Sequence, residues 1–323
     1  MTIKTWYFET SALNEFAKGK TVEDAIATRA FQQVRGRKWI TSPVTFWEIL
    51  LMGDDLKKEK LIFFAQHLLD RELLPSPEEI ITEYIDRGFP LKEKPRPLIS
   101  KSQIAATWRD LVDVPQKTFI YDKGELKSRV ALLKPFSKMI HQIMKGNDVP
   151  LMPSDLKSGI HATLEETLNA LKFVKEKEYD AEQRKLFKIA IFYMMLILCA
   201  EVGFENHFLR AFWNKIGINN TKLRISYALE HFEPLIYQGP LAAMATMAYC
   251  QSKLNFSRGV FFDNLHSFYI TYVDVFFTKD EHFKNLRSYL GSHQNANKII
   301  HFDEVEFTSY KRDSNVIKGP IIS

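Results

Sequence analysis

The sequence predicts an α/β domain assembled from the two ends of the chain and interrupted by roughly 200 helical residues. Three observations predict it. Short apolar strand signals occur near residues 5–8 and 39–41 and return at 274–278. Between about 55 and 256 the periodicity is helical, with no strand signal to match those at the ends. At both ends an acid stands just past a strand, on the rim where α/β sheets hold their sites.

Element by element, Thr5 to Phe8 is the first strand, and Leu13 to about Val34 is helical with an interruption at Gly19. Trp39 to Thr41 is a second short strand. Ser42 then stands as an N-cap with Pro43 at the first helical position, and Glu48 falls inside that helix. Helical spacing of Leu61, Phe64, Leu68 and Leu69 opens the middle segment. Ser76-Pro77-Glu78-Glu79 is a capping box that predicts helix over 80–85, and Thr163-Leu164-Glu165-Glu166 is another. Pro90, Pro95 and Pro97 mark an irregular link, after which helices are expected around 103–112, 127–144, 163–177, 181–202 and 240–254. Alternation returns after Ser257, with Asp263 opening a helix, a strand over 274–278 and a helix over 281–290. The expected division is therefore 1–55 and 257–323 as one domain, with 56–256 as an all-helical insertion.

The composition, 46% hydrophobic over 323 residues, is that of a globular chain with a large core and excludes disorder. Cys199 and Cys250 both lie in apolar stretches, which predicts buried free thiols in a reducing compartment. The opening residues lack the basic and apolar regions of a secretory leader, and the longest apolar run, Ile189 to Ala200, is too short for a bilayer that needs about 20 residues. The expectation is a cytoplasmic chain without membrane contact. The net charge of +5 permits an anionic partner. Cations concentrate between Lys92 and Lys145, where twelve Lys and Arg face five Asp and Glu.

Four acids, Glu9, Glu48, Asp263 and Asp280, with no cysteine cluster and no histidine spacing, suggest a site for a hard divalent cation. Their contexts are Glu9-Thr10-Ser11 after a strand; Ser42-Pro43-Val44-Thr45-Phe46-Trp47-Glu48; and Asp263-Asn264-Leu265-His266 leading through Asp274 to Thr278-Lys279-Asp280. These blocks resemble those of the PIN-domain nucleases: a strand ending Asp-Thr-Ser, a Ser-x-x-Thr-x-x-Glu block, and an Asp-x-x-His helix before a strand ending Thr-x-Asp. The resemblance covers about 120 residues at the two ends. It implies a parallel sheet sandwiched by helices and a metal-dependent endonuclease, RNA before DNA, of a family rich in toxins, RNA-processing and defence enzymes. It implies Mg2+ or Mn2+ on Glu9, Glu48, Asp263 and Asp280, with Thr10, Ser11 and Thr278 orienting the ligands or a water that attacks the phosphodiester. An antitoxin or regulatory protein would be the corresponding partner. The first block departs from the family: Glu9 replaces Asp, and one more methylene moves the carboxylate by roughly 1 Å against an ion that demands about 2.0–2.1 Å. A catalytically silent PIN-like scaffold that binds nucleic acid or protein through its helical region is the competing expectation. Asp274 is a structural or supporting residue, and His266 a packed one.

In the basic segment, Lys92, Lys94, Arg96 and Lys101 are the expected nucleic-acid contacts, because prolines keep their stretch out of regular packing. Trp108, Phe119, Tyr121 and Phe136 interleave with the cations and could stack bases; a solvated helical surface over core aromatics is the alternative. The Met-rich stretches 191–198 and 241–247 suit core packing or a homodimer interface.

Overall fold

In the computed structural model, the described residues are 3–77, 79–80, 101–116, 122–131, 133–145, 185–186, 188–190, 213–219, 223, 227, 240–251, 259–312 and 315–321. They divide into two compact units, the first formed by Met1–Pro75, Pro95–Lys123 and Tyr269–Ser323, the second by Ser76–Lys94 and Gly124–Phe268.

The first unit is built on a parallel sheet of β1 (Lys4–Phe8), β2 (Arg37–Ile40), β3 (Val275–Thr278) and β4 (Ile299–His301), in the order β2-β1-β3-β4. All three pairings are parallel, with Tyr7 opposite Ile40 on one side and Phe276 on the other, and Thr278 opposite His301. Strands from the first forty residues thus sit beside strands from the last fifty. Side chains alternate across the sheet with period two. Trp6, Phe8, Trp39 and Phe277 share one face, with Phe8 and Trp39 rings 4.6 Å apart, and Phe16 and Phe64 complete that layer from α1 (Thr10–Ala17) and α4 (Asp55–Leu68). On the opposite face Tyr7 stacks on Phe276 and Tyr269, and Phe283 of α10 (Glu281–Leu290) lies 4.7 Å from Phe276. Helices on both faces of a parallel sheet make this an α/β architecture.

The local signals explain the elements. Thr21 and Asp24 form a reciprocal capping box that starts α2 (Val22–Val34), and Gly19 at φ 66 makes the turn out of α1. Ser42 precedes α3 (Pro43–Leu51), although its hydroxyl does not cap the helix and instead meets the Tyr7 hydroxyl at 2.8 Å. Asp70 covers the open side of β2, its carboxylate accepting from the Trp39 amide at 2.9 Å while its own amide donates to the Trp39 carbonyl. The helix Asp55–Leu68, which opens the middle segment in the sequence reading, packs on α1 and α2. α5 (Lys101–Asp113) joins the same unit, where Trp108 is buried edge-on to Phe46 at 4.3 Å. Trp108 is therefore a core residue rather than a platform for bases. The sequence also gave no sign of β4, or of the hairpin of β5 (Glu306–Arg312) and β6 (Asn315–Ile321).

The described part of the second unit is helical. The stretch expected as one helix over 127–144 is α6 (Lys123–Ala131) and α7 (Leu133–Met144), and α8 (Pro240–Gln251) packs on α7 and on α9 (Val260–Ser267). Met244 and Met247 are core residues, and Cys250 is a buried free thiol. Ser76 and Glu79 make the expected box, with the Ser76 amide donating to Glu79 Oε2 at 2.6 Å and the Glu79 amide to Ser76 Oγ at 3.1 Å. Residues 81–85 of the helix expected over 80–85, the helix expected over 163–177, most of 181–202, Cys199 and the stretch 191–198 lie outside the described residues.

Candidate functional site

The strand order reverses at β1: the chain passes from β1 to β2 on one side, and β3 and β4 lie on the other. The carboxyl ends of β1 and β3 flank the crevice such a reversal creates. Glu9 follows β1 and Thr278 ends β3, so both stand on that edge.

Glu9 is 2% exposed and is the N-cap of α1. Its Oε2 accepts from the Ser11 amide at 2.8 Å. Its Oε1 accepts from the Ala12 amide at 3.1 Å, the Thr278 hydroxyl at 2.9 Å, the Lys279 amide at 3.2 Å and the Ser11 hydroxyl. One carboxylate thereby caps a helix and ties β1 to the end of β3. Thr278, fully buried, passes the network on, because its hydroxyl also accepts from the Asp280 amide at 3.0 Å. Asp280 caps α10, accepting from the His282 amide at 2.8 Å, and its carboxylate remains part-exposed beside His282 Nδ1 at 3.5 Å. Thr10 is buried, and its hydroxyl has no hydrogen-bond partner among the described residues.

The second block reaches the same edge by helical spacing. Ser42, Thr45 and Glu48 recur every three residues, which keeps them on adjoining turns of α3. Thr45 Oγ1 meets Thr41 Oγ1 at 2.5 Å, and Thr41 donates to the Phe8 carbonyl at 3.0 Å, which fixes the start of α3 against β1. Glu48 is half-buried, with a carboxylate oxygen within 4.8 Å of one from Glu9. Beneath them, burial pushes the Tyr7 hydroxyl far above its usual range, and the nearby Glu9 and Glu48 carboxylates push in the same direction. Both carboxylates offer oxygen donors. The pair fits a hard divalent ion.

Asp263 lies in the second unit. It occupies the first turn of α9 rather than the cap position, which is Gly259, and is 5% exposed with Oδ2 accepting from Gln251 Nε2 at 3.3 Å. His266 on the same helix is buried, as expected of a packed residue. Asp274 is structural: its carboxylate accepts from the Thr5 amide at 2.7 Å, and its amide donates to the Thr5 carbonyl, which joins the starts of β1 and β3. Lys92, Lys94 and Arg96 lie outside the described residues, as do Phe119, Tyr121 and the side chains of Lys101 and Phe136.

Sequence reasoning missed His301, which ends β4 on the same edge as Thr278 and is fully buried. Its Nδ1 faces the Asp303 amide at 3.3 Å, and its Nε2 stands 3.8 Å from Glu281 Oε1. Glu281, His301 and Asp303 offer ligand atoms within 4.8 Å of one another. Lysines already neutralise them, Lys279 on Asp303 and Lys284 on Glu281 at 2.7 Å. A lone histidine after two isoleucines carries no motif, so nothing in the sequence singled it out.

Compared with protein-family models, with curated proteins and with solved structures, the chain matches none. Among the described residues, no helix is long and apolar enough to cross a membrane.

Proposed function

We propose that the chain is a PIN-like, metal-dependent endonuclease that hydrolyses phosphodiester bonds, RNA in preference to DNA. The supporting observation is the approach of the Glu9 and Glu48 carboxylates within 4.8 Å, at the strand-order reversal of a parallel sheet. Glu9 and Glu48 would hold Mg2+ or Mn2+, and Asp280 joins them on the strength of the Thr-x-Asp block. Asp263 enters on its sequence block alone. When bound, the ion supplies an activated water and neutralises charge developing on the phosphate. Ser11, Thr278 and the Lys279 amide hold the Glu9 carboxylate still, and Thr278 sets the backbone from which Asp280 projects. The long helical segment, with Lys92, Lys94, Arg96 and Lys101, is read as the part that guides substrate or meets a regulatory partner.

One observation favours a second reading, a silent scaffold that binds without turnover. Glu9 already takes five donors as a helix cap, which accounts for its burial without an ion. The test is a cleavage screen on single-stranded RNA and DNA with Mg2+ or Mn2+, comparing wild type with Glu48→Gln, Asp280→Asn and Asp263→Asn. The nuclease reading expects metal-dependent cleavage of RNA that falls at least about a hundred-fold in Glu48→Gln and Asp280→Asn. Absence of wild-type cleavage with either ion, or full activity in both variants, sinks it in favour of the scaffold.

A further inference from the structure

A second feature of the first unit stands apart from the acids. Between the α1–α2 turn and the stretch of α4 up to Phe64 lies a cleft of about 780 Å³, within the ordinary range of pockets for small organic ligands. Four lysines line it, Lys18, Lys20, Lys57 and Lys60, against a single acid, Asp54. Asp54 is turned to its own helix, accepting from the Lys57 amide at 2.9 Å. Gly19, at φ 66 with open space beside it, turns the chain so that Lys18 and Lys20 line the cleft together. Lys18 is paired with Glu15, and Lys20 lies 3.3 Å over the Phe16 ring.

Lys57 and Lys60 are exposed and make no ion pair among the described residues. Their i, i+3 spacing continues to Phe63, so two free ammonium groups and an aromatic ring follow one stripe of α4. Phe63 is 40% exposed, in a helix whose neighbouring Phe64 is 3% exposed and already supplies the core contact. A ring left in water beside unneutralised cations is the pairing that phosphate and base together would fill: the lysines take the anion, the ring takes the flat apolar base. A carboxylate metabolite would use the lysines and leave the ring idle.

We propose that this cleft binds a nucleotide unit, with its phosphate on Lys57 and Lys60 and its base against Phe63. The binding chemistry is independent of the nuclease reading. Only the expectation that the nucleotide belongs to an RNA strand rests on it.

The experiment is fluorescence anisotropy of a labelled single-stranded RNA of about 12 nucleotides, long enough to fill a site of this kind, at low salt and in EDTA, with adenosine monophosphate as competitor. Lys57→Glu combined with Lys60→Glu should weaken binding at least about ten-fold and lower the salt dependence by about 0.7 logarithmic units per lost contact. Phe63→Ala should weaken it about five-fold and leave the salt slope unchanged. All three positions are on the surface, so thermal melts should match wild type. Displacement of the RNA by the mononucleotide is expected, and a mononucleotide that binds without displacing it shows that the RNA lies outside the cleft and overturns the proposal. The inference falls if the charge reversal leaves RNA and mononucleotide affinity within two-fold of wild type, or if wild type binds neither. Because binding is read in chelator, a chain that binds but never cuts fails the nuclease reading alone.

Discussion

Replacing Glu9 by Gln in a chain that already carries Glu48→Gln isolates what the Glu9 carboxylate contributes to the fold. Both substitutions remove one charge from the same close pair. At an effective dielectric of about 20, unit charges 4.8 Å apart repel by about 3.5 kcal/mol, and either variant relieves that repulsion equally. In the double variant that repulsion is already relieved by Glu48→Gln, so comparison with the Glu48→Gln single variant leaves only what the Glu9 carboxylate accepts. Glu9 accepts five donors from Ser11, Ala12, Thr278 and Lys279. A hydrogen bond to a charged acceptor contributes about 1 kcal/mol more than one to a neutral acceptor. In Gln one of the two oxygens also becomes a donor, facing an N–H at a buried position. The double variant is therefore expected to be less stable than the Glu48→Gln single variant by about 5 kcal/mol, a separation of roughly 10–20 °C in Tm for a unit of this size. The assay is thermal unfolding in EDTA at neutral pH, followed by the fluorescence of the sheet tryptophans Trp6 and Trp39. Equal melting temperatures of the single and double variants, or a more stable double variant, would refute the assignment of those donors to Glu9.

Two further outcomes follow. Glu9→Asp should keep the cap on α1, since Asp is among the best N-cap residues, and lose the reach to Thr278 and Lys279; Tm should fall while metal-dependent cleavage rises, and an unchanged Tm would show that the reach to β3 carries no stability. The second outcome concerns the acid limb of stability. The Arg287 guanidinium holds the Glu304 carboxyl below its ordinary range, the Lys279 ammonium does the same for Asp303, and the Lys284 ammonium for Glu281. Carboxyl groups depressed in the folded state stabilise it above their unfolded pKa, and that contribution disappears as pH falls through the folded value. The Tm gap between wild type and Arg287→Met should therefore narrow as pH drops below about 4. A gap that widens towards acid would contradict the sign of the Glu304 shift.

Much of the sheet was legible because its signals are local. An apolar run closed by Glu-Thr-Ser gave β1, Ser-Pro gave the start of α3, and Val-Phe-Phe-Thr before an acidic cap gave β3 and α10. Where local signals conflict with the fold, the reading failed. β4 is three residues long, below the length at which alternation shows, and Gly319-Pro320 argues against the strand β6 that contains it. Asp263 resembles a helix cap because Val260-Phe261-Phe262 has strand composition, yet Gly259 begins the helix one turn earlier. Charge density drew attention to the segment 92–145, whereas the lysine cleft gathers Lys18 and Lys20 with Lys57 and Lys60 across a gap that no window over the sequence detects. Trp108 shows the same limit, since it sits in that cation-rich segment but its contact is Phe46.

The departure at Glu9 acquires a physical cause from its partners. A shorter carboxylate can cap α1 through the Ser11 and Ala12 amides, but the Thr278 hydroxyl and the Lys279 amide belong to another strand, reached across the sheet edge. The additional methylene spans that distance. Parallel strands far apart in sequence gain little from local contacts, and β1 and β3 are joined at their starts by Asp274 on Thr5 and at their ends by Glu9. The sheet is thus pinned at both ends of its central pair by carboxylates accepting backbone amides. That arrangement sets the terms for any ion on the edge: it must share Glu9 with five donors, two of which tie β1 to β3, so tighter metal binding and a firmer sheet pull the same carboxylate in opposite directions. Glu48 stands on α3 rather than at the end of a strand, so the two acids offered to an ion are held by different elements of the unit.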